Sequence, residues 1–248
     1  MILDLTEILK TPPFSMDKLV KSGLYSSAIQ SLTKFHFNNS PPYRKILETL
    51  GFVPDGTHQI EEIPFLPVRL FKEYELFSVD RSKIIKTMTS SGTTGQSVSR
   101  IFLDRATASN QTKVLAKITS SIIGTKRLPL LIIDNKSVVK NRNSYTARGA
   151  GILGFSMFGL DVTYALDEEM RLDFDAVQSF CEKHRNGNIL LFGFTYIVWK
   201  HFFKPLRELG QTLALENATL LHGGGWKKLF EEAVDNREFN KSLENVCG

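Results

Sequence analysis

Between residues 128 and 221, short apolar runs alternate with longer segments of helical periodicity, and this alternation leaves very few folds open. Leu128–Asp134, Val162–Leu166, Asn188–Phe194 and Ala218–Leu221 read as strands. Tyr145–Phe158, Asp173–His184 and Thr195–Leu209 read as helices, and a further helix is expected from Trp226 onward. In Asp173–His184, the residues Phe174, Val177, Phe180 and Cys181 recur every three or four positions and share one face. Strands this uniformly apolar are buried on both sides, which predicts an α/β class: a mostly parallel sheet with helices on both faces. Ligands in such folds bind outside the carboxyl ends of the strands.

The N-terminal part follows a different pattern. Residues 1 to about 60 read as helical, with Ser15 as an expected N-cap and Met16, Val20, Leu24, Ala28 and Leu32 as an i+4 apolar stripe. Pro41-Pro42 opens a short helix that Gly51 ends, and the proline-bearing stretch Pro54–Pro67 reads as an extended connection. The domain reading is therefore a helical N-terminal subdomain with its connection over 1–66, and an α/β nucleotide-binding subdomain over 67–248. Lys83–Thr89 and Ser97–Leu103 read as strands flanking the loop Thr89–Gln96, and Asp104 as the N-cap of a helix ending near Gly124.

That loop is dense in chemistry. Ser90, Ser91, Thr93 and Thr94 bring hydroxyls, while Gly92 and Gly95 let backbone N–H groups approach a ligand closely, a combination suited to polyphosphate. Placed between two strands, it predicts phosphate binding at a hairpin and not at a helix N-terminus. Farther on, Gly223-Gly224-Gly225 follows a strand end directly. Three adjacent glycines carry an entropic cost, so bare backbone should be needed there, as for a flat adenine or ribose.

The order Ser90-Ser91-Gly92-Thr93-Thr94-Gly95 resembles the phosphate loop of the adenylate-forming superfamily, which includes acyl-CoA synthetases. Ile63-Pro64-Phe65-Leu66-Pro67-Val68 with Phe71-Lys72, and Leu221-His222-Gly223-Gly224-Gly225-Trp226-Lys227-Lys228, are similar to two further motifs of one branch. That branch is the acyl-protein synthetases of the bacterial bioluminescence fatty-acid reductase complex. The resemblance implies ATP-dependent, Mg²⁺-assisted activation of a carboxylic acid, a fatty acid in that branch, as acyl-adenylate. Acyl transfer to a thiol of a protein or of CoA follows, with acyl-transferase or reductase subunits as partners. It assigns Ser90, Ser91, Gly92, Thr93, Thr94 and Gly95 to the ATP phosphates, and His222, Gly223, Gly224 and Gly225 to the adenosine. The strand end Phe192-Gly193-Phe194 would wall the acyl pocket, or pack as core. Family members continue into a Tyr-Gly-x-x-Glu-like motif and a C-terminal lid with the catalytic lysine and the acylated cysteine. Catalytic residues are therefore expected beyond Gly248, Cys247 is not the acyl carrier, and the chain corresponds to the N-terminal portion. The alternative is a non-catalytic nucleotide- or acyl-binding module. The family loop runs on to a lysine, whereas here Gln96-Ser97-Val98-Ser99-Arg100 leaves Arg100 as the nearest cation.

Bulk properties narrow the classes further. Hydrophobic content of 42% and charged content of 23% are those of a soluble globular protein. The net charge of +5 is scattered, with Lys227-Lys228 and Lys126-Arg127 as the longest basic runs, so no nucleic-acid footprint is expected. Cys181 and Cys247 form neither a disulfide framework nor a zinc pattern, and a cytoplasmic location is expected. The nearly apolar run Gly151–Leu160 is far below the ~18 residues of a membrane span. Gly149-Ala150-Gly151-Ile152-Leu153-Gly154 fits G-x-G-x-x-G formally but follows no strand, and reads as small residues that let a helix pack closely. Gly154–Gly159 misses the G-x-S-x-G elbow by one residue, and Cys181 with His184 lacks two further metal ligands.

Overall fold

The computed structural model describes residues 5–89, 98–139 and 145–248. The chain divides into two units, Met1–Gly124 and Thr125–Gly248.

In the first unit, α1 (Thr6–Lys10) precedes α2 (Lys18–Asn39), α3 (Pro41–Thr49) and α4 (Leu70–Glu73). The N-cap of α2 is Asp17, whose carboxylate accepts from the Leu19 N–H at 2.8 Å, and not Ser15, whose hydroxyl donates to the Pro12 carbonyl. Asp17→Ala is expected to cost about 0.5–2 kcal/mol in urea denaturation, because the first-turn donors lose their acceptor. The i+4 stripe does not form a buried face: Val20 is 56% and Leu24 44% exposed. A strict i+4 repeat advances about 40° per step, so from Met16 to Leu32 it winds roughly 160° around the helix instead of holding one side. Strands β1 (Ile84–Thr89) and β2 (Arg100–Asp104) pair antiparallel, with Met88 opposite Ile101. The Asp104 carboxylate caps α5 (Arg105–Ile123) by accepting from Thr107 N–H at 2.8 Å, and Gly124, at φ +82, ends it.

The second unit holds a parallel sheet of β3 (Leu128–Asn135), β5 (Gly159–Leu166), β6 (Ile189–Phe194) and β7 (Ala218–Gly223), in the order β5-β3-β6-β7. The two-residue β4 (Tyr145–Thr146) leads into α6 (Ala147–Ser156), and α7 (Phe174–His184) joins β5 to β6. Alternate strand residues face opposite ways. Leu131, Ile133, Ile189 and Leu191 form one core with Val177, Phe180, Phe202 and Phe239. Phe192 lies on the opposite side, stacked on Phe155 at 4.4 Å between ring centroids. The sheet extends farther than the apolar pattern shows, because β5 starts at Gly159. A Cβ there would sit 2.8 Å from Leu130 Cδ2, so glycine lets β5 reach β3.

The expected helix Thr195–Leu209 has three parts: α8 (Thr195–Ile197), a π-helical turn over Val198–Phe203, and α9 (Lys204–Glu208). The wider turn leaves Val198, Trp199, Phe202 and Phe203 all buried, and Pro205, with no N–H to donate, stands where α-helix resumes. The helix expected from Trp226 is likewise interrupted. A 3₁₀ segment, Lys227–Glu232, precedes α10 (Asn236–Cys247), which starts where Asp235 accepts from the Glu238 N–H at 2.9 Å. Among the described residues, no helix is long and apolar enough to cross a membrane.

Candidate active site at the carboxyl edge of the parallel sheet

The chain leaves β3 toward β5 on one side and β6 toward β7 on the other, so the boundary between β3 and β6 is the topological switch point. The strand ends there carry the polar residues. Asp134, near the end of β3, is 1% exposed and forms a bidentate ion pair with Arg148 of α6. Burial opposes the Arg148 charge, but the hydrogen bonds and charge of Asp134 outweigh it and hold the guanidinium pKa above its ordinary value. Met170 completes the cluster with its backbone at φ +64, a left-handed conformation uncommon for a non-glycine residue. Its sulfur accepts from Asn135 Nδ2 at 2.9 Å and from Arg148 at 3.2 Å, and its carbonyl accepts from His201 Nδ1 at 2.7 Å. With Nδ1 donating, burial keeps the His201 pKa below its usual value.

One strand over, Gly193 pairs with His222 and Phe194 with Gly223. This register brings the residues assigned to the acyl pocket beside those assigned to adenosine. His222 is exposed, and its ring stacks on Phe239 at 4.6 Å, which in turn stacks on Trp199 and meets Trp226 edge-on. Partial burial lowers the His222 pKa, so the imidazole is neutral near pH 7. Thr195, 7% exposed, places its hydroxyl 3.1 Å from His222 Nδ1 and 3.0 Å from the Gly223 carbonyl.

The glycines of this region differ in what requires them. Gly224 lies at φ +86, and a Cβ there would come within 2.5 Å of Phe194 Cδ1. Gly225 lies at φ +65 with open space where its Cβ would be. Gly223 has neither constraint: no described atom lies within 4 Å of its would-be Cβ. Gly193 is required by packing, since its Cβ would meet Val198 Cγ2 at 2.7 Å and Ile133 Cβ at 3.0 Å. Phe192 is buried, and Phe194 sits between it and the glycine turn.

Ser90, Ser91, Gly92, Thr93, Thr94 and Gly95, the residues expected to bind the phosphates, lie outside the described residues. Arg100, the nearest following cation, donates to Glu75 at 3.1 Å, and Glu75 also pairs with Arg81. Its charge is thus already shared with a carboxylate. Desolvation pushes the Cys247 thiol up to about 12 and the Cys181 thiol to about 11, so neither presents a thiolate near neutral pH. His184 bonds Asp161 at 2.8 Å, and among the described residues no three His, Cys, Asp or Glu side chains could hold a metal. The glycine-rich stretch Gly149–Gly154 lies within α6, where a Gly151 Cβ would stand 3.2 Å from Phe192 Cζ, a close-packing role. A cavity of about 310 Å³ lined by Leu191, Leu220, Leu243 and Cys247 includes none of the assigned site residues. Asp134 and Arg148 were not expected in the site. An acidic residue ending an otherwise apolar strand was the available signal for the first.

The fold is similar to that of 2-hydroxyisobutyryl-CoA ligase, whose structure was solved with 2-HIB-AMP and CoA in the thioesterification state. The TM-score is 0.56, over 84% of this chain and 44% of that one, at 16% identity. The likeness is one of fold: a parallel sheet of the order β5-β3-β6-β7 with its helices. The chain belongs to the family described as acyl-protein synthetase, LuxE, whose profile matches residues 2–248. It is 25% identical over 229 residues to a long-chain-fatty-acid–luciferin-component ligase of Vibrio harveyi, covering 89% of this chain and 57% of the relative. A ligase of the same name from Aliivibrio fischeri is 25% identical over 239 residues, covering 92% and 57%. The chain therefore spans a little over half the length of these curated relatives.

Proposed function

We propose that this chain carries the nucleotide- and acid-binding part of an ATP-dependent acid–thiol ligase, with a long-chain fatty acid as the substrate to test first. The observation that carries this reading is Gly223, a strand-end glycine that neither backbone conformation nor packing against the described residues requires. Open space over bare backbone at a carboxyl strand end suits a purine or ribose face.

In the proposed reaction a carboxylate oxygen attacks the α-phosphorus of ATP, pyrophosphate leaves, and a mixed anhydride forms. A thiol sulfur then attacks the acyl carbon, AMP leaves, and the thiol proton is released. The acceptor is CoA or a protein cysteine, and acyl-transferase or reductase subunits are the partners to test. His222, Gly223, Gly224 and Gly225 are assigned to the adenosine, and Ser90, Ser91, Gly92, Thr93, Thr94 and Gly95 to the β- and γ-phosphates. Phe192, Gly193 and Phe194 are assigned to the acyl-facing wall. Mg²⁺ enters with the nucleotide as MgATP. Most of the rate enhancement in such a reaction comes from positioning and charge stabilisation.

Saturable ATP binding by this chain, and ATP–pyrophosphate exchange across a series of straight-chain fatty acids in a chain extended past Gly248, test the proposal, with exchange above the acid-free background as the expected result. No exchange with any acid, together with no saturable ATP binding, overturns it. Saturable binding without exchange supports the non-catalytic module instead. Gly223→Ala should weaken ATP binding roughly tenfold or more, about 1.4 kcal/mol, with the unfolding midpoint unchanged.

A further inference from the structure

The hydrogen bonds of one buried hydroxyl determine what His222 offers to a ligand. Thr195 Oγ1 lies 3.0 Å from the Gly223 carbonyl oxygen and 3.1 Å from His222 Nδ1. A hydroxyl has one proton, and a carbonyl only accepts. If the proton pointed to His222, two oxygen acceptors would face each other at hydrogen-bond distance with nothing between them. Both contacts are satisfied only if Thr195 donates to Gly223 and accepts from Nδ1–H. The neutral ring then has its lone pair on Nε2, which makes no hydrogen bond among the described residues. Stacking on Phe239 holds the ring plane, and Thr195 fixes its rotation.

We propose that Thr195 is a positioning residue that locks His222 as the Nδ1–H tautomer, so that Nε2 is an acceptor selecting 6-amino over 6-oxo purine nucleotides. The proposal rests on the assignment of His222–Gly225 to the adenosine. An exocyclic amine donates to Nε2. A 6-oxo group would set one acceptor against another and leave both unpaired, and unsatisfied groups are what make such sites discriminate. Thr195 is 7% exposed, so water does not readily replace its hydroxyl.

The test has two arms. The first, on the unaltered protein, records ¹⁵N chemical shifts of the His222 ring above its pKa. A pyrrole-type Nδ1 with a pyridine-type Nε2 is expected, and the reverse pattern overturns the proposal. The second compares ATP with inosine triphosphate binding in the wild type, Thr195→Val, Thr195→Ser and His222→Phe. Wild type and Thr195→Ser should prefer ATP by roughly tenfold or more, and Thr195→Val and His222→Phe should lose most of that preference. Equal affinity for the two nucleotides in the wild type, or full discrimination by Thr195→Val, overturns the tautomer lock while leaving the adenosine site standing. If the wild type binds neither nucleotide, the adenosine assignment fails, and the proposal with it.

Discussion

Arg148→Met is expected to destabilise the Thr125–Gly248 unit by roughly 3–5 kcal/mol in urea denaturation, the range for breaking a buried ion pair by removing one partner. The Asp134 side chain is 1% exposed, against 25% for Arg148, so the two losses are not equivalent. Without the guanidinium, the carboxylate stays buried, with the Asn135 N–H at 2.6 Å as a remaining donor. Without the carboxylate, as in Asp134→Asn, the arginine can turn toward water. That variant should lose less, about 1–3 kcal/mol. The double variant Asp134→Leu, Arg148→Met should be more stable than Arg148→Met alone, since no uncompensated charge is left. Equal losses for Arg148→Met and Asp134→Asn would show that the pair is effectively solvated and that this asymmetry argument is wrong. Met170, which accepts from Arg148 through sulfur while its backbone is held at φ +64, should lose order when Arg148 is removed.

Where the sequence was informative, the physics was local. Strands buried on both faces have no alternation to conceal them, so Leu128–Asp134 and Asn188–Phe194 were readable to within a residue or two of β3 and β6. Asp104 as N-cap and Gly124 as terminator needed only neighbouring residues. The errors came from longer-range terms. The α2 stripe failed because side-chain burial depends on what covers a helix, and a pure i+4 repeat drifts around the axis. The break in the Thr195–Leu209 helix reflects the burial of four adjacent-turn aromatic and aliphatic side chains as well as Pro205.

The site shows the same division. Its glycine turn was visible as a run of residues, whereas its polar supports were not. Asp134 and Arg148 are 14 positions apart across a crossover, and Thr195 and His222 are 27 apart across adjacent parallel strands. Strand register, not sequence spacing, brings Thr195 beside the Gly223 carbonyl. Arg100 is a further case: sequence leaves it as the nearest cation after the loop, and Glu75, 25 positions away, accepts from it.

Three adjacent glycines with three different requirements make the second large effect specific to one position. Gly224→Ala is expected to cost roughly 2–5 kcal/mol. About 1–2 kcal/mol comes from placing a Cβ residue at φ +86, and about 1–3 kcal/mol from forcing that Cβ toward Phe194 Cδ1, 2.5 Å away. Gly225→Ala meets only the conformational term and should cost about 1–2 kcal/mol, because the space around it is open. Gly223→Ala should leave stability unchanged. Chemical denaturation of the three variants should therefore rank them 224, 225, 223, whereas an order set by exposure alone would not separate 224 from 225. Phe194→Leu supplies the internal control. Combined with Gly224→Ala, the smaller side chain should recover the steric part and leave the backbone part, giving a favourable coupling of about 1 kcal/mol or more in a double-mutant cycle. Zero coupling would mean that Phe194 turns aside freely, and that the turn is held by backbone conformation alone.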